Sequence, residues 1–143
     1  MSFDKFVGKW NLAETDHFDD YMKKIGVGFF ARKLVGIVKP VLTIESTGDH
    51  WKITSSSTFR TTVTEFDIDR EFEETTPVGH KMKSICSFDG DKLVKQQKAI
   101  NAGEKASIHE RYIDGDKLVL ICKCEDVTGK LVYQRDKSEK AAC

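Results

Sequence analysis

Past Pro40 the chain alternates short β-rich segments with polar turns, a pattern with the two-residue period of strands rather than the longer period of helices. Turn residues fall at Thr47-Gly48-Asp49, Asp67 to Arg70, Asp89-Gly90-Asp91, Asn101-Ala102-Gly103, Asp114-Gly115-Asp116 and Thr128-Gly129. Most are a dozen or so residues apart, which suits an antiparallel meander. One earlier stretch departs from this rhythm. From Asp16 or His17 onward, Phe18, Tyr21, Met22 and Ile25 recur at helical spacing. Gly26-Val27-Gly28 interrupts them, and Phe29, Phe30, Leu34 and Val35 continue a second short helix to Gly36. Asp16 is placed to cap the first helix, because its carboxylate can accept from exposed backbone N–H groups. Pro40 separates the second helix from the next strand. The predicted outline is one strand, a helix-turn-helix, then about nine strands.

The strand faces are not those of a fully packed sandwich. Trp51, Ile53, Ser55 and Ser57 share one face, and Lys52, Thr54 and Ser56 the other. Further on, His109, Arg111 and Ile113 fall together. A packed core rarely accepts an unpaired arginine, because burying its charge is costly. A barrel around a partly wet interior can accept one, and closure also removes exposed sheet edges. The expectation is a barrel with a helical lid; a roll with a conventional core is the alternative.

Composition narrows the picture. A chain of 143 residues suits one domain, expected to span 1–143, with a core that needs no metal or disulfide. The 23 basic and 23 acidic side chains cancel, which argues against a nucleic-acid partner. No apolar secretory core opens the chain and no apolar run is long enough to span a bilayer, so a cytoplasmic location is expected. Cys86, Cys122, Cys124 and Cys143 are then expected to be free thiols. The histidines, His17, His50, His80 and His109, show no metal-ligand spacing, and no metal or cofactor is expected. His50 and His80 read as exposed strand ends.

Several ordered segments carry a resemblance. Gly8-Lys9-Trp10-Asn11-Leu12, then His17-Phe18-Asp19-Asp20-Tyr21-Met22, is similar to the N-terminal signature of the intracellular fatty-acid-binding proteins. The resemblance continues through Gly26-Val27-Gly28-Phe29, Arg32-Lys33, Lys39-Pro40, Ser57-Thr58-Phe59, Glu71-Phe72, Lys117-Leu118-Val119 and Val132-Tyr133. It covers roughly residues 5 to 136 and most resembles the adipocyte and heart branch of this lipocalin-like group. It implies an all-β, ten-stranded, up-and-down antiparallel barrel, a β-clam, with helices 17–24 and 28–36 as a lid. Turns near Phe59 and near Thr76-Pro77 would complete a portal.

The resemblance also implies a site. Phe18, Met22, Val27, Pro40, Ser55, Ser57, Phe59, Val78, Leu120 and Cys122 would line an interior for an acyl chain. Arg111 and Tyr133 match an arginine and a tyrosine that hold a fatty-acid carboxylate in that branch. A second arginine of the branch is replaced by Leu131; Arg135, near the strand end, is not taken as its substitute. Burying roughly ten methylenes contributes about 8 kcal/mol before the costs of association. A charge-assisted bond from Arg111 adds about 1.5–3 kcal/mol. The tail therefore supplies most of the affinity and the head group sets polarity and register. Taken without the resemblance, Arg111 is a solvated strand charge and Tyr133 a packing residue with a wet hydroxyl.

The expected function is binding and transport of a long-chain fatty acid by a monomer that is not an enzyme. His109 would face inward opposite Cys122, but no orienting acid or oxyanion site accompanies that pair. Leu131 motivates the alternative of a neutral lipid or retinoid carrier. Lys23, Lys24, Arg32 and Lys33 on the lid helices motivate contact with anionic membranes, and hence a membrane-contacting or receptor-docking structural module. The trio Lys23, Arg32 and Lys33 also resembles one that directs related carriers to the nucleus and a nuclear receptor. The hairpin from Ala99 to Lys105 and the tail from Asp136 to Cys143 are longer than in the adipocyte type.

Overall fold

The computed structural model describes residues 4–58, 60–76 and 79–137; Phe59, Pro77, Val78 and Cys143 lie outside the described residues. The described chain opens not in a strand but in a 3₁₀ turn, Asp4–Phe6. It continues through β1 (Gly8–Asp16), α1 (Phe18–Lys24) and α2 (Phe29–Val38). Then come β2 (Val41–Thr47), β3 (His50–Ser56), β4 (Thr61–Asp67), β5 (Phe72–Thr75) and β6 (Lys81–Asp89). The rest are β7 (Lys92–Ala99), β8 (Ser107–Asp114), β9 (Lys117–Cys124) and β10 (Val127–Arg135).

The ten strands form one antiparallel sheet in the order β4-β3-β2-β1-β10-β9-β8-β7-β6-β5. Sequential neighbours pair except β4 and β5, and β1 joins the two halves by pairing with both β2 and β10. The sheet curls into a nearly closed barrel, as expected. Its edges, β4 and β5, are not hydrogen-bonded neighbours. Side chains bridge them instead: the rings of Phe66 on β4 and Phe72 on β5 stack at 5.8 Å.

One end is a dense plug. Phe6 is fully buried and packs by its ring against Trp51 at 6.5 Å and Phe88 at 6.3 Å. Trp10 donates its indole N–H to the Phe6 carbonyl at 3.0 Å. Arg135 lies over the Trp10 ring at 4.0 Å and donates to the carbonyls of Val7 and Lys5. Arg135 is thus a brace for the plug, which accounts for its place outside the site.

The helices cover the other end, and here three expectations are corrected. Asp16 does not cap α1. His17 occupies that position in a left-handed conformation, φ 53°, without a side-chain cap, and the Asp16 carboxylate meets His17 Nδ1 at 2.8 Å. Nor do Thr128 and Gly129 form a turn; both lie in β10. The β9–β10 turn is Glu125-Asp126, with Glu125 taking the positive φ of 53°. Gly129 serves packing instead. A Cβ there would lie 2.9 Å from Tyr21 Cβ and 3.0 Å from Phe18 Cα, so the missing side chain lets α1 lie against β10. Lys24, at the other end of α1, bridges Glu125 and Asp126 at 3.3 Å each. α2 ends at Val38, two residues past the expected boundary, with Lys39 in the left-handed region before Pro40.

Candidate functional site

Register carries one face of the sheet around the interior. Trp10 pairs across to Leu42, Leu42 to Ser55, and Ser55 to Thr62; in the other direction Leu12 pairs to Tyr133, and Tyr133 to Leu118. Leu120 lies opposite Arg111, Cys122 opposite His109, His109 opposite Lys95, and Lys95 opposite Cys86. These residues lie side by side along the inner face of the sheet. On the β6 to β10 wall they are mostly buried. On the opposite wall Ser55, Thr62, Thr64 and Glu74 keep part of their surface although they face inward. The inward positions of β3, β4 and β5 are thus less covered than those of β6 to β10.

Arg111 stands on β8 with its side chain inward and only 9% exposed. Its Nε is buried without a hydrogen-bond partner. A buried guanidinium N–H left without an acceptor costs free energy. Tyr133 lies on β10, buried; burial, only partly offset by the Arg111 charge, pushes its phenol up to about 12, so it remains a neutral donor. Leu131 is buried on the same strand and supplies only apolar surface. Leu120 and Cys122 join it in one apolar cluster with Met22 of the lid. Phe18 packs partly buried against that cluster and stacks on Tyr21 at 5.8 Å. Pro40 is half-buried at the mouth, next to β2.

One expected lining position stands apart, and two lie outside the described residues. Ser57 is not on the face of β3: the strand ends at Ser56, and Ser57 exchanges hydrogen bonds with the Arg60 backbone across a turn. Phe59 lies outside the described residues, as does Val78.

His109 does not engage Cys122. Ser107 donates its hydroxyl to the Lys123 carbonyl at 3.1 Å, which leaves its oxygen as an acceptor for the Tyr21 hydroxyl at 2.5 Å. The Tyr21 oxygen in turn lies 2.9 Å from His109 Nε2, which therefore carries the proton of a neutral imidazole. Burial, with the nearby charges of Lys95 and Arg111, holds the His109 pKa well below its usual value. Burial pushes the Cys122 thiol up to about 12 and the Cys86 thiol up to about 11, in spite of Arg111 and Lys95 nearby. A neutral thiol beside an imidazole already engaged by tyrosine is no nucleophile.

The sequence reading missed a polar cluster beside Arg111. Glu74 on β5 accepts from Ser84 at 2.5 Å, Gln97 at 3.0 Å and Lys95 at 3.2 Å. Lys95 is itself buried, as are Ser84 and Gln97. Burial raises the Glu74 pKa, but the Lys95 charge and these hydrogen bonds outweigh it, and the net shift is downward. A signal was present: Leu93, Lys95 and Gln97 alternate on one face of β7, and Leu93 belongs inside.

The basic lid residues are partly spoken for. Arg32 donates to Asp19 at 3.1 Å and to the Val27 carbonyl at 2.8 Å, and Lys24 is held by the β9–β10 turn. Lys23 is exposed, as is Lys33, whose Nζ lies 5.3 Å from the Phe29 ring centre. His80 is not an exposed strand end: only 24% of its side chain is accessible, and it reaches Glu104 of the β7–β8 loop at 3.7 Å. His50 is exposed as expected, bonded to Asp67 and Glu65 at 3.0 and 3.1 Å. Outside the barrel, a groove of about 770 Å³ runs beside α1, lined by charges of both signs including Asp20, Lys23 and Lys105; its position and polarity separate it from the interior.

The fold, the inward arginine and the lid agree with a match to the family model described as lipocalin / cytosolic fatty-acid binding protein, over residues 7–137. The chain belongs to this lipocalin and cytosolic fatty-acid-binding protein family. Fatty acid-binding protein homolog 6 of Caenorhabditis elegans is 39% identical over 132 residues, 92% of this chain and 98% of that protein. The adipocyte fatty acid-binding protein of Pygoscelis papua is 40% identical over 132 residues, again 92% of this chain and 98% of that protein. Among solved structures, a Schistosoma mansoni fatty acid binding protein in complex with arachidonic acid superposes with a TM-score of 0.87. It is 31% identical, with 95% of this chain and 99% of that chain covered. The chain is accordingly a lipid-binding protein of this family, not an enzyme.

Proposed function

We propose that the chain, as one domain, binds a single long-chain fatty acid inside the barrel and carries it between membranes. The observation that carries this reading is the buried Arg111 guanidinium with an unpartnered Nε. Among the inward charges described, Lys95 and Glu74 cancel as a pair at 3.1 Å, His109 is neutral, and Arg111 alone is uncompensated. An interior with one surplus positive charge favours a ligand with one negative charge, and a carboxylate can accept from both Arg111 and the Tyr133 hydroxyl. The apolar cluster of Met22, Leu120, Cys122 and Leu131 would receive the chain. The surplus charge favours this reading over a neutral lipid or retinoid, which would leave Arg111 buried without a counter-charge.

The lid supplies the delivery surface. Phe30 of α2 is 87% exposed and Ile37 74%, beside the exposed Lys33, a pairing of apolar and basic side chains that suits an anionic bilayer. Displacement of a fluorescent fatty acid by oleate and by oleyl alcohol tests the carboxylate reading. Arg111→Gln is expected to weaken oleate by about 1.5–3 kcal/mol, roughly ten- to hundredfold, and to leave the alcohol nearly unchanged. Equal affinities for both ligands, insensitive to Arg111→Gln, would reject it.

A further inference from the structure

Lys95 has no role in the reading above beyond cancelling Glu74, yet its surroundings suit more than an internal ion pair. It is 8% exposed, on the inner face of β7. Its cross-strand partner is His109, and Arg111 lies two residues along the same face of β8, opposite Leu93. That diagonal relation places the two backbones roughly 7–8 Å apart, within reach of one another's long side chains. The two cations converge on the same groups: both bear on the ionisation of His109, Cys86 and Cys122.

Glu74 does not depend on Lys95 alone. Its carboxylate already accepts from Ser84 and Gln97, both buried and fixed on the neighbouring strands β6 and β7. Lys95 has three donors, and its hydrogen bond and ion pair among the described residues both go to this one carboxylate. An ammonium on a flexible stem can therefore turn a spare donor toward a second anion without abandoning the first. A buried ion pair is a weak device for stability, since desolvation offsets most of the attraction.

On the reading that a carboxylate binds at Arg111, we propose that Lys95 is a second head-group cation, held ready by Glu74, and that this pair sets the preference for acids over neutral lipids. Glu74 acts as an internal competitor: its charge restrains Lys95 in the empty barrel and tempers the attraction for an entering acid. Lys95 and Glu74 should consequently act on acid affinity with opposite signs, which a purely structural ion pair would not do.

The test compares oleate and oleyl alcohol on Lys95→Gln, Glu74→Gln and Arg111→Gln, each first checked for a native-like thermal transition. Lys95→Gln is expected to weaken oleate by about tenfold while leaving oleyl alcohol within about twofold, the loss of one charge-assisted bond. Glu74→Gln is expected to strengthen oleate, again with little effect on the alcohol. Should Lys95→Gln fail to fold, the Glu74→Gln result decides alone. An unchanged or weaker affinity of Glu74→Gln for oleate, or equal losses of both ligands in Lys95→Gln, overturns the proposal. If Arg111→Gln loses oleate selectively while the other two do not shift it, Lys95 is no head-group cation but the carboxylate reading stands. If none of the three changes selectivity, that reading falls as well.

Discussion

Among the described inward side chains, burial bears differently on His109, Glu74, Tyr133, Cys86 and Cys122. His109 is held neutral, with its pKa well below the ordinary imidazole value, by burial and by Lys95 and Arg111. On unfolding it takes a proton at any pH below about 6.5 that still exceeds its folded value. Its contribution to stability is therefore present above about pH 6.5 and declines as the pH falls from there. Glu74, with its net downward shift, loses its contribution only at more acid pH, below the ordinary carboxylate range. His50, exposed between Glu65 and Asp67, has a raised pKa and acts in the opposite sense. Urea unfolding at about pH 7.5 and about pH 5.5 should show His109→Gln losing less stability than the parent over that interval. An identical loss in both would mean that the imidazole is not buried neutral. Arg111 and Tyr133 were legible because their strand positions belong to a recognisable order of motifs. Lys95 was missed although it alternates with Leu93 and Gln97 on one face, because a lysine in a strand ordinarily faces water.

Between α1 and the strands it covers, the contacts include the close approach over Gly129 and the Tyr21 hydroxyl held by Ser107 and His109. A methyl at residue 129 would meet the backbone of Phe18, which cannot swing aside as a side-chain tip can. Gly129→Ala is expected to cost about 1–3 kcal/mol and to raise hydrogen exchange in α1 before the distant strands. Exchange that rises uniformly over the barrel would contradict a local role. The same glycine shows why element boundaries were only partly readable. Thr128-Gly129 has the composition of a turn, and nothing local distinguishes a turn glycine from one cleared for a helix packed against it. The true turn put Glu125 at positive φ, which its residue type does not announce. By contrast, turns marked by Gly48, Gly90 and Gly115 matched the sequence, since each glycine there has φ between 62° and 64°.

Taken together, the barrel has a sealed end at Phe6, Trp51 and Phe88, a helical lid at the other, and a polar wall between. The ten-stranded outline was legible from turn spacing and from mixed strand faces. The plug was not, because Phe6 precedes the first strand and its burial depends on Trp51, Phe88 and Arg135 from far along the chain. The lid also presents Phe30, Ile37 and Lys33 outward, so transfer should depend on it. Transfer of a fluorescent fatty acid to vesicles with anionic lipid is expected to slow several-fold, about threefold or more, in Phe30→Ser and in Lys33→Glu, with the equilibrium affinity unchanged. Rates indifferent to both changes and to salt would remove the membrane step. The account as a whole stands on a fatty acid inside the barrel with its acid end at Arg111. A crystal structure of the oleate complex tests this directly. It should place one acyl chain among Met22, Leu120 and Leu131, with its carboxylate within hydrogen-bond distance of the Arg111 guanidinium. Oleate seated in the groove outside α1, or inside the barrel with its carboxylate turned away from Arg111, would contradict it.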